Sequence, residues 1–382
     1  MIQAIKQWAE QNQESIETTY QQLHEMAEVS WKEEKTTAFL QAELNRLGVS
    51  VHTFEDQTGL YAVWEGRTAG PTVGLRADID ALWQNVDGVW KANHSCGHDA
   101  HMTMVLHAFR CLQEIGFQPE GRVKVIFQPA EETGKGALSL IEKGVLQDVN
   151  YLLGIHVRPI QELSYGTATP AIYHGAVAMI KGRITGLQAH AARPNQGINV
   201  VDSLSAIISA VNSVKTDPTI PASAKVTAVR AGGDNLNIIP DDAEFGIDLR
   251  AQKNEAMDEL IEKVSRAALA AGSANGAEVK LEVTARMDAA VANQEMEQIV
   301  GAAISEVLGK ETLCDPPVTP GGEDFHFYAT HHPNLSATMV GLGTDLKPGL
   351  HHPHMQFNLH SLVNGVAVLA ASVIKVFSER QW

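Results

Sequence analysis

The chain has 382 residues and carries 29 Lys+Arg against 45 Asp+Glu, a formal charge of −16, which excludes a basic nucleic-acid binder. Its length fits two domains, or one large domain with an insertion, and 44% apolar content is enough for a core, which argues against disorder. Three cysteines, Cys96, Cys111 and Cys314, are too few and too odd in number for a disulfide framework, whereas sixteen histidines are unusual.

In chain order, the first fifty residues read as two amphipathic helices. Ile16, Tyr20 and Leu23, then Leu40, Leu44 and Leu47, repeat the spacing of one helical face, and Gly48 stops the second helix. From Leu60, short β-like runs (LYAVWEG, TVGLRAD) precede a helical stretch through Met102, Val105, Leu106 and Phe109, followed by RVKVIFQ and NYLLGIHV. Such alternation predicts an α/β domain, a mostly parallel sheet with helices on both faces. Residues 176–288 follow a different pattern: strand AVAMIKGRITG, helix Val200 to Val214, strands AKVTAVRAG and AEFGIDLRA, helix Glu255 to Ala271, and strand EVKLEVTA. That β-α-β-β-α-β order is ferredoxin-like α+β. A helix near Glu295 to Leu308, a strand at SATMVGLG and a helix from Leu359 to Phe377 then resume the first style. The expectation is a domain of residues 1–175 and 289–382 with a smaller domain, 176–288, inserted into it.

The apolar runs fall short of the roughly 20 residues that a bilayer span needs. The opening MIQAIKQWAEQNQESIE has helical spacing and no charged-then-apolar leader. A soluble cytoplasmic protein without a membrane partner is expected.

The chemistry concentrates in NHSCGHDAHMTMVLH, which holds His94, Cys96, His98, Asp99, His101 and His107. Cys96 and His98 stand two apart on a glycine turn entering a helix, so thiolate and imidazole can face one cation. Neighbouring strands end at Asp78, at Glu131 and Glu132, and near His156, and open α/β sheets bind ligands outside the carboxyl ends of their strands. GLHHPHMQF adds His351, His352 and His354, one of which completes the set. Counting Cys96, His98, Glu132, His156 and a histidine of that last turn gives more ligands than one tetrahedral zinc needs, so two metal ions sharing the thiolate fit better. Thiolate with imidazoles suits zinc; carboxylate and imidazole also accept manganese, cobalt or nickel.

With LRADIDAL, SCGHDAH, FQPAEE, GIHV, GLQAHAARP, NIIPDDAEF, GGEDF and LHHPH in one order along nearly the whole chain, the sequence resembles the di-metal amidohydrolases of the aminoacylase and carboxypeptidase group, metallopeptidase clan MH. The branch it is most similar to holds hippurate hydrolase, N-acetyldiaminopimelate deacetylase and the indoleacetyl-amino-acid hydrolases. The resemblance implies that Cys96, His98, Glu132, His156 and His351 bind the two divalent metals and that Glu131 is the general base. His351 is chosen because the family's ligand precedes an x-Pro step, here His352-Pro353. Other branches have His-x-Asp where this chain reads Arg76-Ala77-Asp78, so Asp78 is expected to orient a ligand. The inserted domain is implied to be a lid and dimerisation element of a homodimer. From it His190 reaches the active site, and Asn237 and Arg250 hold a substrate carboxylate. The charge of −16 draws in no anion from a distance, which leaves that task to a dedicated cation such as Arg250.

The implied activity is metal-dependent hydrolysis of N-acyl-amino acids to a carboxylate and a free amino acid. A dipeptidase using the same metals is the alternative enzyme, and a metal-containing binding protein without turnover the alternative of another class. Relatives read Asp-Ala-Leu-Pro where this chain has Asp80-Ala81-Leu82-Trp83, placing an indole that either stacks on an aromatic acyl group or fills space at the domain junction.

Overall fold

The computed structural model describes residues 1–378. They form two compact units, one of Met1–Tyr173 and Val291–Pro317 with the chain from Phe327 onward, the other of His174–Ala290 and Val318–His326.

The larger unit is built on a seven-stranded sheet. Its spatial order is Ser50–Thr53, Leu60–Glu65, Glu120–Gln128, Thr68–Asp78, Tyr151–Pro159, Ser336–Leu346 and Ala168–Thr169. The four strands from Glu120–Gln128 to Ser336–Leu346 run parallel, and the pairings outside them are antiparallel. Parallel strands are covered on both faces, which is why Thr72 to Asp78 is a continuous buried run with no polar alternation. Helices His98–Glu114, Gln294–Val307 and Ser361–Ser378 pack together, and Leu75, Val125, Leu153 and Val340 of the sheet share one core with Val105, Phe109, Ile304 and Val366 of those helices. Ser361–Ser378 has the length and hydropathy (mean 1.7) of a membrane span, but 83% of it is buried inside the chain, as in a core helix.

The second unit is a four-stranded antiparallel sheet in the order Ala222–Ala231, Asp242–Ala251, Ala176–Thr185, Glu278–Met287, with helices Val200–Ser213 and Asn254–Ala274. Along Ala176–Thr185, buried Ile180 and Ile184 alternate with exposed Met179, Lys181 and Arg183, the pattern of a sheet with one covered face. The apolar face meets Ile207, Met257, Leu260 and Val264 of the helices. Gly182 leaves room for the ring of Phe245; a Cβ there would lie 2.1 Å from it.

Three features differ from the sequence reading. The first fifty residues hold three helices, Ile2–Gln11, Gln13–Glu25 and Glu34–Arg46. Asn12 breaks what periodicity reads as continuous, because its side-chain amide and its backbone N–H both turn back on the Trp8 carbonyl. Residues 82–93 form a hairpin, Leu82–Val86 with Val89–Asn93, turned by Asp87 and Gly88 at φ 53° and 87°. The second unit also includes Val318–His326, which the sequence reading leaves with the larger domain. Gly175 N–H donates to the carbonyls of Thr319 and Gly321, and Gly322 packs against Val177 and Met287.

Candidate metal centre

The parallel strands end at Asp78, Gln128 and Pro159, and the segments that leave them bring the chemistry to one place. Gly97, at φ 88°, turns the chain into helix His98–Glu114; a Cβ there would lie 2.5 Å from Val157 Cγ2. After Gln128, Pro129 and a left-handed Ala130 (φ 55°) lead to the short 3₁₀ turn Glu131–Thr133. His351, also at positive φ (62°), donates its N–H to Ser95 C=O at 2.7 Å.

Ligand atoms of Cys96, His98 and His156 lie within 4.8 Å of one another, as do those of Cys96, Glu132 and His351, and those of His98, Glu131 and Glu132. Cys96 is common to the first two groups, so the five sequence-predicted ligands converge around a shared thiol. Backbone carbonyls fix the imidazoles. His98 Nδ1–H donates to Asp80 C=O at 2.8 Å, and His156 Nδ1–H donates to Val157 C=O at 2.7 Å. Each ring therefore turns Nε2 inward as a lone-pair donor. His156 Nε2 is 3.7 Å from Cys96 Sγ, and His351 Nε2 is 3.5 Å from Glu132 Oε1. His98 Nε2 stands 3.9 Å from both the Glu131 and the Glu132 carboxylate.

Two of these inward atoms, His98 Nε2 and Glu132 Oε1, are buried and make no hydrogen bond among the described residues. Leaving such groups unpaired is costly, so the donor set fits a cation better than a packed interior. The electrostatics agree. Burial, reinforced by the Glu132 carboxylate, pushes the Cys96 thiol well above its ordinary value, and burial pushes Glu132 up to about 7. Burial would lower His98, but Asp78, Cys96 and Asp80 outweigh it and hold the ring well above its usual range. The acidic groups around His98 thus favour a positive charge at this spot, and one cysteine sulfur, three imidazoles and carboxylate oxygens are the donors that divalent transition metals take.

Asp78 lies beneath the ligands. Its Oδ2 accepts from Arg76 at 2.8 Å, and its Oδ1 accepts from His101 Nδ1–H at 2.8 Å, while Val157 N–H donates to His101 Nε2 at 3.1 Å. His101 packs against His156 with ring centroids 4.4 Å apart and the planes tilted by 57°. Burial would raise Asp78, yet His98, His101 and Arg76 keep it well below the usual carboxylate range. Arg76 also donates to Gln128 Oε1, which Tyr328 OH reaches too. His101, Arg76 and Gln128 are absent from the sequence-level site; SCGHDAH and LRADIDAL carry the first two, but nothing in them distinguishes a supporting group from a ligand. The remaining histidines of that stretch are core residues. His107 bonds Thr19 Oγ1, and burial lowers both His94 and His107 to about 4.

His190, Asn237 and Arg250 belong to the second unit. A small ladder, Ala189–His190 with Ile238–Ile239, brings His190 beside Asn237, whose C=O accepts from Ala191 N–H at 2.9 Å. Ala192 N–H donates to His190 Nδ1 at 3.1 Å, which leaves the ring proton on an exposed Nε2. Arg250 is paired with Asp248 through Nε and a terminal nitrogen, each at 2.9 Å, so it is not the isolated cation that the sequence shows. Trp83 is 60% exposed on the 82–93 hairpin, whose Gln84 and Asn93 hold the His351 loop through the carbonyls of His351 and Pro353.

Residues 74–375 match the model of peptidase family M20/M25/M40. The chain belongs to that family. An N-acetylcysteine deacetylase of Bacillus subtilis (strain 168) is 31% identical to this M20/M25/M40 chain over 87% of it and 88% of the relative. An IAA-amino acid hydrolase, ILR1-like 4, of Arabidopsis thaliana is 28% identical over 94% of the chain and 84% of the relative. Among solved structures, the Bacillus subtilis YXEP protein, a dinuclear metal-binding peptidase from the M20 family, superposes with a TM-score of 0.82 at 26% identity, covering 96% of this chain and 99% of that one. The M20/M25/M40 chain is thus similar over most of its length to hydrolases, and its donor cluster lies within the matched residues.

Proposed function

We propose that this chain is a two-metal amidohydrolase that cleaves N-acyl-amino acids to a carboxylate and a free amino acid. The observation that carries the reading is the donor cluster itself, in which Glu131 stands 3.9 Å from an imidazole whose buried inward nitrogen makes no hydrogen bond among the described residues. The relatives support the substrate class, since one is named for deacetylating N-acetylcysteine and another for hydrolysing IAA-amino acids.

Cys96, His98, Glu132, His156 and His351 hold the cations, zinc or manganese, which when bound supply Lewis-acid polarisation of the acyl carbonyl and lower the pKa of water. Glu131 takes the proton of the attacking water and returns it to the departing amine, so one carboxylate serves as base and then acid. Asp78 fixes the ring of His101 and, through it, the packing of His156. His190 donates Nε2–H to the developing oxyanion, and Asn237 and Arg250 hold the substrate carboxylate. A homodimer and a cytoplasmic setting are parts of the same reading.

The experiment is hydrolysis of a panel of N-acetyl- and N-aroyl-amino acids beside dipeptides, with and without chelator. Chelator-sensitive release of amino acid from the N-acyl substrates is expected. Turnover of dipeptides alone would make the chain a dipeptidase, and metal binding without any turnover would make it a binding protein.

A further inference from the structure

Glu131 and Glu132 sit on a turn too short to have a hydrogen-bond ladder of its own, yet the chemistry proposed for them needs both carboxylates held in place. Three successive backbone amides face away from the turn, and each is received by a carboxylate. Ala130 N–H donates to Glu33 Oε1 at 2.9 Å, and Glu131 N–H and Glu132 N–H donate to Asp80 Oδ1 and Oδ2, both at 3.1 Å. Both acids are completely buried. Ser30 Oγ–H braces Asp80 Oδ2 at 2.6 Å, and the Thr58 hydroxyl donates to Glu33 Oε2.

Asp80 makes one further connection. Its backbone carbonyl receives His98 Nδ1–H, the bond that turns His98 Nε2 inward. One residue thus holds the amides of Glu131 and Glu132 on its two carboxylate oxygens and an imidazole on its carbonyl. An asparagine of the same shape has a single acceptor oxygen and would set an NH₂ group against the second amide. A buried ionised acid at this position is costly unless both of its oxygens are used, and here both are.

We propose that Asp80 is the positioning residue that sets the spacing of Glu131, Glu132 and His98, with Glu33 fixing the upstream amide of the same turn. This rests on the reading of Glu131 as base and of Glu132 and His98 as ligands. Asp80 acts only through backbone amides and a ligand's tautomer, without touching substrate.

The test compares Asp80→Asn and Glu33→Gln with Glu131→Gln in purified protein, reading kcat and KM on an N-acetyl-amino acid, zinc affinity by chelator competition, and melting temperature. Asp80→Asn is expected to weaken zinc about 10- to 100-fold and to lower kcat about 100-fold or more at nearly constant KM. Glu33→Gln keeps one acceptor for the one amide it holds and can still bond Thr58, so its kcat falls less than about tenfold. If Asp80→Asn does not fold, Ser30→Ala carries the test: it removes only the brace, and kcat is expected to drop about threefold to tenfold with KM and melting temperature unchanged. Zinc affinity and kcat within about threefold of the parent in Asp80→Asn, or an unchanged kcat in Ser30→Ala where that variant is needed, overturn the inference. A lower melting temperature with normal kcat and zinc affinity overturns it too, because the role is then structural only. Failure of the underlying reading looks different, since Glu131→Gln would itself retain activity.

Discussion

The two units commit their functional side chains in opposite ways. In the larger one, Cys96, His98, Glu131 and His156 are buried, and the imidazoles of His98 and His156 are oriented by backbone carbonyls. In the smaller one, His190 and Asn237 are exposed and Arg250 is half-exposed and paired with Asp248. Burying an unpaired polar atom such as His98 Nε2 is expensive, which favours an occupant that brings positive charge to the first set. Exposed groups such as His190 carry no such cost, and in the proposed function they meet a substrate that arrives from solvent.

That contrast can be broken at its strong end first. His98→Ala should remove nearly all hydrolysis and reduce bound metal below two ions per chain, measured by elemental analysis; full occupancy in that variant would dissociate the cluster from metal binding. Glu131→Gln should lower kcat by roughly 100- to 10,000-fold while bound metal stays unchanged, which separates proton transfer from ligation. His190→Ala, on the exposed side, should cost about 100- to 1000-fold in kcat with metal content intact. A kcat equal to the parent's would remove His190 from the chemistry.

Smaller effects sharpen the comparison. Arg250→Ala should raise KM about tenfold or more while kcat changes little, because a hydrogen bond to a charged group is typically worth about 1.5 to 3 kcal/mol. An unchanged KM would leave Arg250 a structural partner of Asp248. The buried side also predicts a pH effect. Burial raises Glu132 from an ordinary 4.5 to about 7, so the metal-free fold holds a proton that the unfolded chain gives up. Stability from this group is complete below about 4.5 and is lost as pH rises through about 7. A bound cation reverses that penalty, so the gain in melting temperature on adding manganese should be larger at pH 8 than at pH 6. An equal gain at both would exclude Glu132 as a ligand.

Much of this was legible in the sequence where a single period governs a segment. The two-residue alternation of Ala176–Thr185 and the helical face of Asn254–Ala274 are visible as written, and so is the run of apolar residues before Asp78. Asn12 was not legible as a break, because the apolar spacing continues across it and the bonds of its side chain and backbone to the Trp8 carbonyl are visible only in the fold. The Asp87-Gly88 turn did carry a hairpin signal, which the flanking segments, with no fully buried residue in either strand, fail to reinforce. The ligand types could be read from the Cys-x-His spacing and the acidic pair. Their support could not, since Glu33, Asp80 and His101 are ordinary in composition and acquire meaning only from the amides and rings they face in space. For Arg250 the sequence shows the cation; only the fold shows that Asp248, two residues away on the same strand, already holds it.

The most direct test of the central claim is anomalous diffraction from crystals grown with zinc, recorded at the zinc edge. The account predicts two peaks per chain, both near Cys96 Sγ at about 2.3 Å, with His98, Glu132, His156 and His351 completing the two coordination spheres. A single peak, or two peaks of which neither touches Cys96, would contradict it.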